Sequence, residues 1–344
     1  LIFKIAKRLF NTSTGSIAVV VLMLNPWVYW NAKNPMTGVL QALLYTLLIA
    51  LVGVEFLRMH KSIKSQAGKT TVWGRGFALG IVAGALALTH GAMLALDVVL
   101  LLALFIIAFL RRHYVIVKTS IIAAIIMTLC IAPWTYRNWR TFDRFIPVTS
   151  GSGLAYFNGN VHWNCIVDEP QRKGESYIDA SLRVAGIKGT EKTQTQWKGL
   201  KDIELDQRMN EKMAEDIRSH PDAFAKKVIL NAVEYYFPAC TYSFLAVKNL
   251  SLEKLALTIF HIILWGLVLA GFWRNNKESP CRAMSWLMLG AVAFYAMWYF
   301  TFAAFIGHSL YTLGTIPLLS VLAARGIHSL FARRLPCDLV RTEC

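Results

Sequence analysis

The sequence predicts an all-α integral membrane protein of about eight transmembrane helices, with a mixed α/β or mostly α extracytoplasmic domain inserted before the last three. Three observations carry this prediction. Of the 344 residues 56% are hydrophobic and only 16% are charged, fewer charges than a soluble chain of this length carries. Apolar runs close to the roughly 20 residues that cross a bilayer recur along the chain. Of the 20 acidic residues 14 fall between 136 and 251, which sets that stretch apart as water-facing.

Taken in order, the expected spans are 12–31, 36–57, 76–92, 93–110, 119–135, 252–273, 283–304 and 308–331. Asn25 and Pro26 interrupt the first, and the third and fourth are nearly continuous, which predicts a tight hairpin near Gly91. Lys4, Lys7 and Arg8 precede the first span; Arg58, Lys61, Lys64, Lys69 and Arg75 follow the second or open the third. Arg111, Arg112 and Lys118 follow the fourth, Arg274, Lys277 and Arg282 the sixth, and Arg325, Arg333, Arg334 and Arg341 lie toward the chain end. If the spans alternate, all of these groups share one side, and the short loops opposite hold only Lys33. By the positive-inside rule that side is cytoplasmic and carries both termini. The net charge of +16 is then a topology signal, and nucleic acid is excluded as the partner it implies. The organisation follows: 1–135 membrane helices, 136–251 the outer domain, 252–344 the last three spans and a short basic cytoplasmic tail.

Cys165 and Cys240 share the outer domain and either pair or stay reduced, whereas Cys130 is intramembrane and Cys281, Cys337 and Cys344 are cytoplasmic. No CxxC or HExxH spacing marks a metal site. The opening "LIFKIAKRLF" lacks the layout of a signal peptide and reads as the cytoplasmic end of an earlier span followed by a basic loop, so further sequence is expected upstream.

In the outer domain, residues 135–160 read as irregular and turn-rich, with "RFIPV" as a short extended piece and glycines 151, 153 and 159 in turns. Residues 161–200 form a polar surface excursion. A helix is expected over Asp202–Arg218, because Leu205, Met209, Met213 and Ile217 recur on one face. Ser219 or His220 caps a second helix with Pro221 in its first turn, where the missing N–H costs nothing, and Phe224, Val228, Ala232 and Tyr235 form its apolar stripe. The aromatic end "EYYFP" suits the membrane interface.

In chain order, "LNPWVYWNAKNP", "GIVAGALALTHGAMLAL", "APWTYRNWRTFDRFIPVTSGSGLAYFNGN", "AEDIRSHPDAFAKK" and "LYTLGTIPLLSVLAARG" follow one another between Leu24 and Gly326. This order resembles bacterial polyprenyl-phosphate-sugar-dependent glycosyltransferases of the C-type membrane fold, related to protein O-mannosyltransferases and the lipid A aminoarabinose transferase. The most specific piece is "PWTYRNW..FDRFIPV". The resemblance implies transfer of a sugar, with inversion, from a polyprenyl-phosphate donor to a glycan, lipid or protein acceptor outside the bacterial inner membrane. It also implies a catalytic aspartate in the first outer loop. Before the large loop this chain has only Glu55 and Asp97, neither in such a motif, so the base is expected upstream and Asp97 is the candidate within the chain. Thr89-His90-Gly91, Asn34-Pro35 and Thr312 stand where the family usually carries basic or acidic motif residues.

The chemistry needs a base for the acceptor and cations or hydrogen-bond donors for the departing phosphate. Arg137, just beyond the fifth expected span, is either a permanently charged phosphate ligand or an interfacial anchor. His90 and His308 sit at expected outer ends of spans and either converge on the donor or bond neighbouring carbonyls. Tyr311 either donates to phosphate or joins the aromatic belt. Tyr156, Asn158 and Asn160 shape the acceptor side or simply form turns. Asp97 is a base or a group bonded within the bundle. No metal ligands can be assembled, although a divalent metal is compatible with the reaction. Two other readings remain: an inactive paralogue that binds lipid-linked sugar, and a transporter or flippase of envelope precursors. The latter predicts internal repeats, and the sequence shows none.

Overall fold

The computed structural model describes residues 1–26, 28, 37–60, 69–149, 200–237, 252–274, 279–302 and 314–331. Among these every regular element is an α-helix, so the expectation of a helical protein holds. The helices are α1 (Ile2–Leu9), α2 (Thr12–Met23), α3 (Thr37–His60), α4 (Lys69–Thr89), α5 (Met93–Leu110) and α6 (Tyr114–Phe142), then α7 (Leu200–Ser219), α8 (Pro221–Tyr236), α9 (Leu252–Arg274), α10 (Ser279–Phe302) and α11 (Ile316–Phe331). Five segments, Gly38–Met59, Val72–Thr89, Met93–Leu110, Tyr114–Phe142 and Leu255–Phe272, are long and apolar enough to cross a membrane. The protein is therefore membrane-embedded. The other three expected spans contain shorter apolar helices, Thr12–Met23, Ala283–Met297 and Ile316–Phe331.

Two compact units divide the chain: Leu1–Pro133, Ile259–Tyr295 and Ser309–Cys344 form one, Trp134–Thr258 and Ala296–His308 the other. In the first, α1 buries Ile2, Ile5, Ala6 and Leu9 while Lys4, Lys7 and Arg8 face outward. The stretch read from the sequence as a span end and basic loop is thus a short amphipathic helix, because its apolar residues recur at helical spacing. Asn11 caps α2 by accepting the Thr14 amide at 2.7 Å. Gly15 brings α2 onto α1, since a Cβ there would stand 2.9 Å from the Phe3 carbonyl oxygen. Helix α11 packs against α2, and a Cβ on Gly271 of α9 would lie 3.0 Å from the Gly326 Cα of α11.

The hairpin near Gly91 forms as expected: the His90 amide bonds the Leu86 carbonyl at 3.1 Å, and the His90 carbonyl receives the Met93 amide at 2.8 Å. At its other end α5 stops on Arg112, whose φ of 59° turns the chain into α6. Helix α4 also carries a column of small residues. A Cβ on Gly76 would meet Ile122 at 2.6 Å, on Gly80 the Ala123 carbonyl oxygen at 2.6 Å, and on Gly84 the Cys130 Cβ at 2.6 Å. These three glycines recur every fourth residue on α4, so one face of α4 lies directly on α6, the close approach that small residues permit between apolar helices.

Helix α6 corrects one boundary. The sequence suggested that the chain becomes irregular after Pro133, yet the helix runs through this proline to Phe142. Proline removes one intrahelical donor and crowds one carbonyl, and tertiary contacts beyond it carry the helix on. It ends at Asp143, where φ is 51°. The expected extended piece "RFIPV" is an irregular return segment and not a strand. In the second unit α7 and α8 pack together near their expected limits, with His220 at the N-cap of α8 and Pro221 in its first turn.

Candidate functional site

The end of α6 turns the most specific motif into a mechanical device. Trp134, Thr135 and Asn138 lie on one helical face and seize the segment that folds back after Asp143. The Trp134 indole N–H donates to the Val148 carbonyl at 2.6 Å and the Thr135 hydroxyl to the Pro147 carbonyl at 2.8 Å. The Asn138 amide donates to the carbonyls of Ile146 and Val148, both at 3.1 Å. These carbonyls belong to no strand or helix and would otherwise need water. Asn138 is buried and was missed by the sequence reading, although its spacing from Trp134 is that of adjacent helical turns.

This clasp also positions Arg137. Its guanidinium lies 4.8 Å above the Trp134 ring and donates to the Asn138 side-chain oxygen at 3.3 Å, while the residue stays exposed. A stacked guanidinium keeps its charge and its in-plane donors for a planar or tetrahedral anion. Tyr136 and Trp139 beside it are exposed and meet edge to face at 6.3 Å. Arg144, from the same motif, is bonded to Gln207 of α7.

In the first unit, His90 occupies the turn between α4 and α5, partly buried. Burial lowers its pKa and favours the neutral imidazole, a hydrogen-bonding group in place of a cation. Asp97 sits on the buried face of α5 with Leu96, Leu101 and Leu104, opposite exposed Val98, Val99, Leu102 and Ile106. It is 0% exposed, and among the described residues neither carboxyl oxygen has a hydrogen-bond partner. The alternative in which Asp97 bonds within the bundle is therefore not what these residues show, and an acceptor would have to enter the bundle to reach it. A second polar group was not anticipated: Gln41 donates to the Tyr295 hydroxyl at 3.1 Å, and Tyr45, its ring tilted by 40° against that of Tyr295 with centroids 5.0 Å apart, donates to the Ala291 carbonyl at 2.7 Å. Gly314 fits against the same Tyr295 ring, where a Cβ would collide with the hydroxyl. Glu55 of α3 is clamped by Arg58 of its own helix and by Arg75 of α4, the latter at 3.0 Å.

No family model, curated protein or solved structure matches this chain. The site is thus argued from its own chemistry. Arg137 belongs to the second unit and His90 and Asp97 to the first. His308, Tyr311, Tyr156, Asn158, Asn160 and the Cys165–Cys240 pair lie outside the described residues. Among the described residues no group of His, Cys, Asp and Glu has the arrangement of a metal site.

Proposed function

We propose that this chain is the membrane part of a bacterial polyprenyl-phosphate-sugar-dependent glycosyltransferase with eight spans. In this reading the 136–251 segment faces the extracytoplasmic side and both termini face the cytoplasm. The observation that carries the reading is Arg137, a permanent cation held exposed by Trp134 and Asn138 at the end of an apolar helix, inside the motif that carries the resemblance. An acceptor hydroxyl attacks the anomeric carbon and its proton passes to a carboxylate base, a role that the burial of Asp97 does not suit. The bond from that carbon to the phosphate oxygen breaks, and the lipid phosphate leaves with the electron pair. Arg137 stabilises this leaving anion.

The test is sugar transfer from a panel of synthetic polyprenyl-phosphate sugars by membranes holding the natural full-length protein. Transfer by the wild type and a fall of about 100-fold in Arg137→Gln are expected. Donor binding without transfer would move the assignment to a binding paralogue. Asp97 favours one second reading, because a carboxyl inside a membrane helix, with no hydrogen-bond partner among the described residues, is the kind of group that transporters and flippases use. Flux of an envelope precursor in proteoliposomes that stops in Asp97→Asn, with no transfer activity, would establish that reading instead.

A further inference from the structure

The clasp at the end of α6 leaves a second face of that helix uncovered. Tyr136, Trp139 and Arg140 follow one another at the i, i+3, i+4 spacing of a single helical face, and all three are exposed. At the same spacing this face continues back through Ala132, Leu129, Ile125 and Ile121, exposed along the apolar part of the helix, whereas Ile122, Ala123 and Met127 on the other side are buried. In a membrane-embedded helix such an exposed apolar stripe meets acyl chains. The 29 residues of α6 span about 43 Å, more than the roughly 30 Å of a hydrocarbon core, so the one helix also reaches the headgroups. Tyr136 and Trp139, just beyond the apolar run, stand where that stripe leaves the acyl layer.

The return segment adds a third aromatic ring. After Asp143 the chain runs back along α6, with the carbonyl of Ile146 on Asn138, that of Pro147 on Thr135 and that of Val148 on Trp134 and Asn138. It therefore descends from the tip of the helix toward Pro133, where the apolar run ends. Ile146 and Pro147 are half-buried and Val148 is buried, yet Phe145, at the start of the descent, is 79% exposed. The clasp thus fixes a large apolar ring outside any protein core. Arg140 is exposed and makes no hydrogen bond or ion pair among the described residues. Aromatic rings with a cation, on the continuation of an acyl-facing stripe, have the composition of a surface at the headgroup–acyl boundary: the rings suit its mixed polarity and the guanidinium its phosphates. We propose that Tyr136, Trp139 and Phe145 insert at the headgroup–acyl boundary of the bilayer, with Arg140 among the lipid phosphates, and that the clasp holds Phe145 in that position. This anchoring surface is independent of the transferase reading.

The experiment places the natural full-length protein in nanodiscs of phosphatidylethanolamine and phosphatidylglycerol, with the photo-reactive amino acid p-benzoylphenylalanine replacing Trp139 or Phe145 in turn, and identifies the adducts by mass spectrometry. Phospholipid adducts are expected at both positions and none at Arg218, an exposed residue of α7 replaced in the same way as a control. Because a replaced side chain can disturb the clasp, the wild type is also footprinted with hydroxyl radicals in the same nanodiscs. Tyr136, Trp139 and Phe145 should be spared as Leu129 is, although no protein group covers them. Oxidation of Trp139 and Phe145 in the wild type overturns the proposal and makes this a solvated face. Peptide adducts in place of lipid adducts overturn it in favour of cover by protein, either this chain or a second copy. Lipid adducts of equal yield at Arg218 overturn it as well, since labelling would then not depend on this surface.

Discussion

Glu55 and Asp97 are the two acids of the first five expected spans, and the bundle treats them oppositely. Glu55 lies near the end of α3 and is enclosed by two arginines, one from a neighbouring helix. Asp97 lies one turn into α5, wholly enclosed, with no hydrogen-bond partner for either oxygen among the described residues. Burying a carboxyl is costly in both places. At Glu55 ion pairs offset the cost, and the result is a contact between helices. At Asp97 nothing described offsets it, which is the signature of a group retained for a task other than stability. A buried carboxyl thus reads as architecture when its partners are in place, as at Glu55, whereas Asp97 has none among the described residues.

Three substitutions break or sharpen this contrast. The largest effect is expected from Arg75→Ala, which strips Glu55 of its interhelical partner and should lower unfolding stability in detergent by about 3 to 5 kcal/mol. A loss under about 1 kcal/mol would show that Arg58 alone satisfies Glu55. Next comes Gly80→Val, which drives a side chain into the Ala123 carbonyl and Ile126 and should cost about 2 to 3 kcal/mol as α4 is pushed from α6. Since α4 packs against both α3 and α5, the same variant should also make Asp97 reactive to a hydrophobic carbodiimide; unchanged labelling would detach the enclosure of Asp97 from the glycine seam. The smallest effect, and of opposite sign, belongs to Asp97→Leu, which removes the unpaired polar atoms and should raise stability by about 1 to 2 kcal/mol. A decrease would reveal a partner for Asp97.

The elements that local chemistry controls were legible in the sequence. Asn25 and Pro26 mark the end of α2, Gly91 marks the hairpin, and Pro221 marks the start of α8, because each acts within one turn of its own position. Pro133 was misread for the same reason: locally it ends a helix, but the clasp of Trp134, Thr135 and Asn138 on residues 146–148 holds α6 together beyond it. That clasp could not be seen while the segment was taken as a loop, since its three side chains share a face only if they are helical. The column Gly76, Gly80 and Gly84 is visible as a spacing, but its partner helix is not. Likewise nothing near Glu55 in sequence announces Arg75, and nothing near Gln41 announces Tyr295. Of the candidate site, Arg137 was legible as an exposed cation at a helix end; its aromatic support required the helical register.

Helix α1 has a consequence for how the protein meets proteases. Lys4, Lys7 and Arg8 point outward, so the sequence offers trypsin three exposed sites within its first turns. A protease needs an extended strand, and α1 cannot extend while Ile5, Ala6 and Leu9 stay buried and Phe3 rests on Gly15. Cutting at Lys7 or Arg8 therefore waits for α1 to come away from α2, and the rate of that first nick becomes a clock for local opening at this end of the bundle.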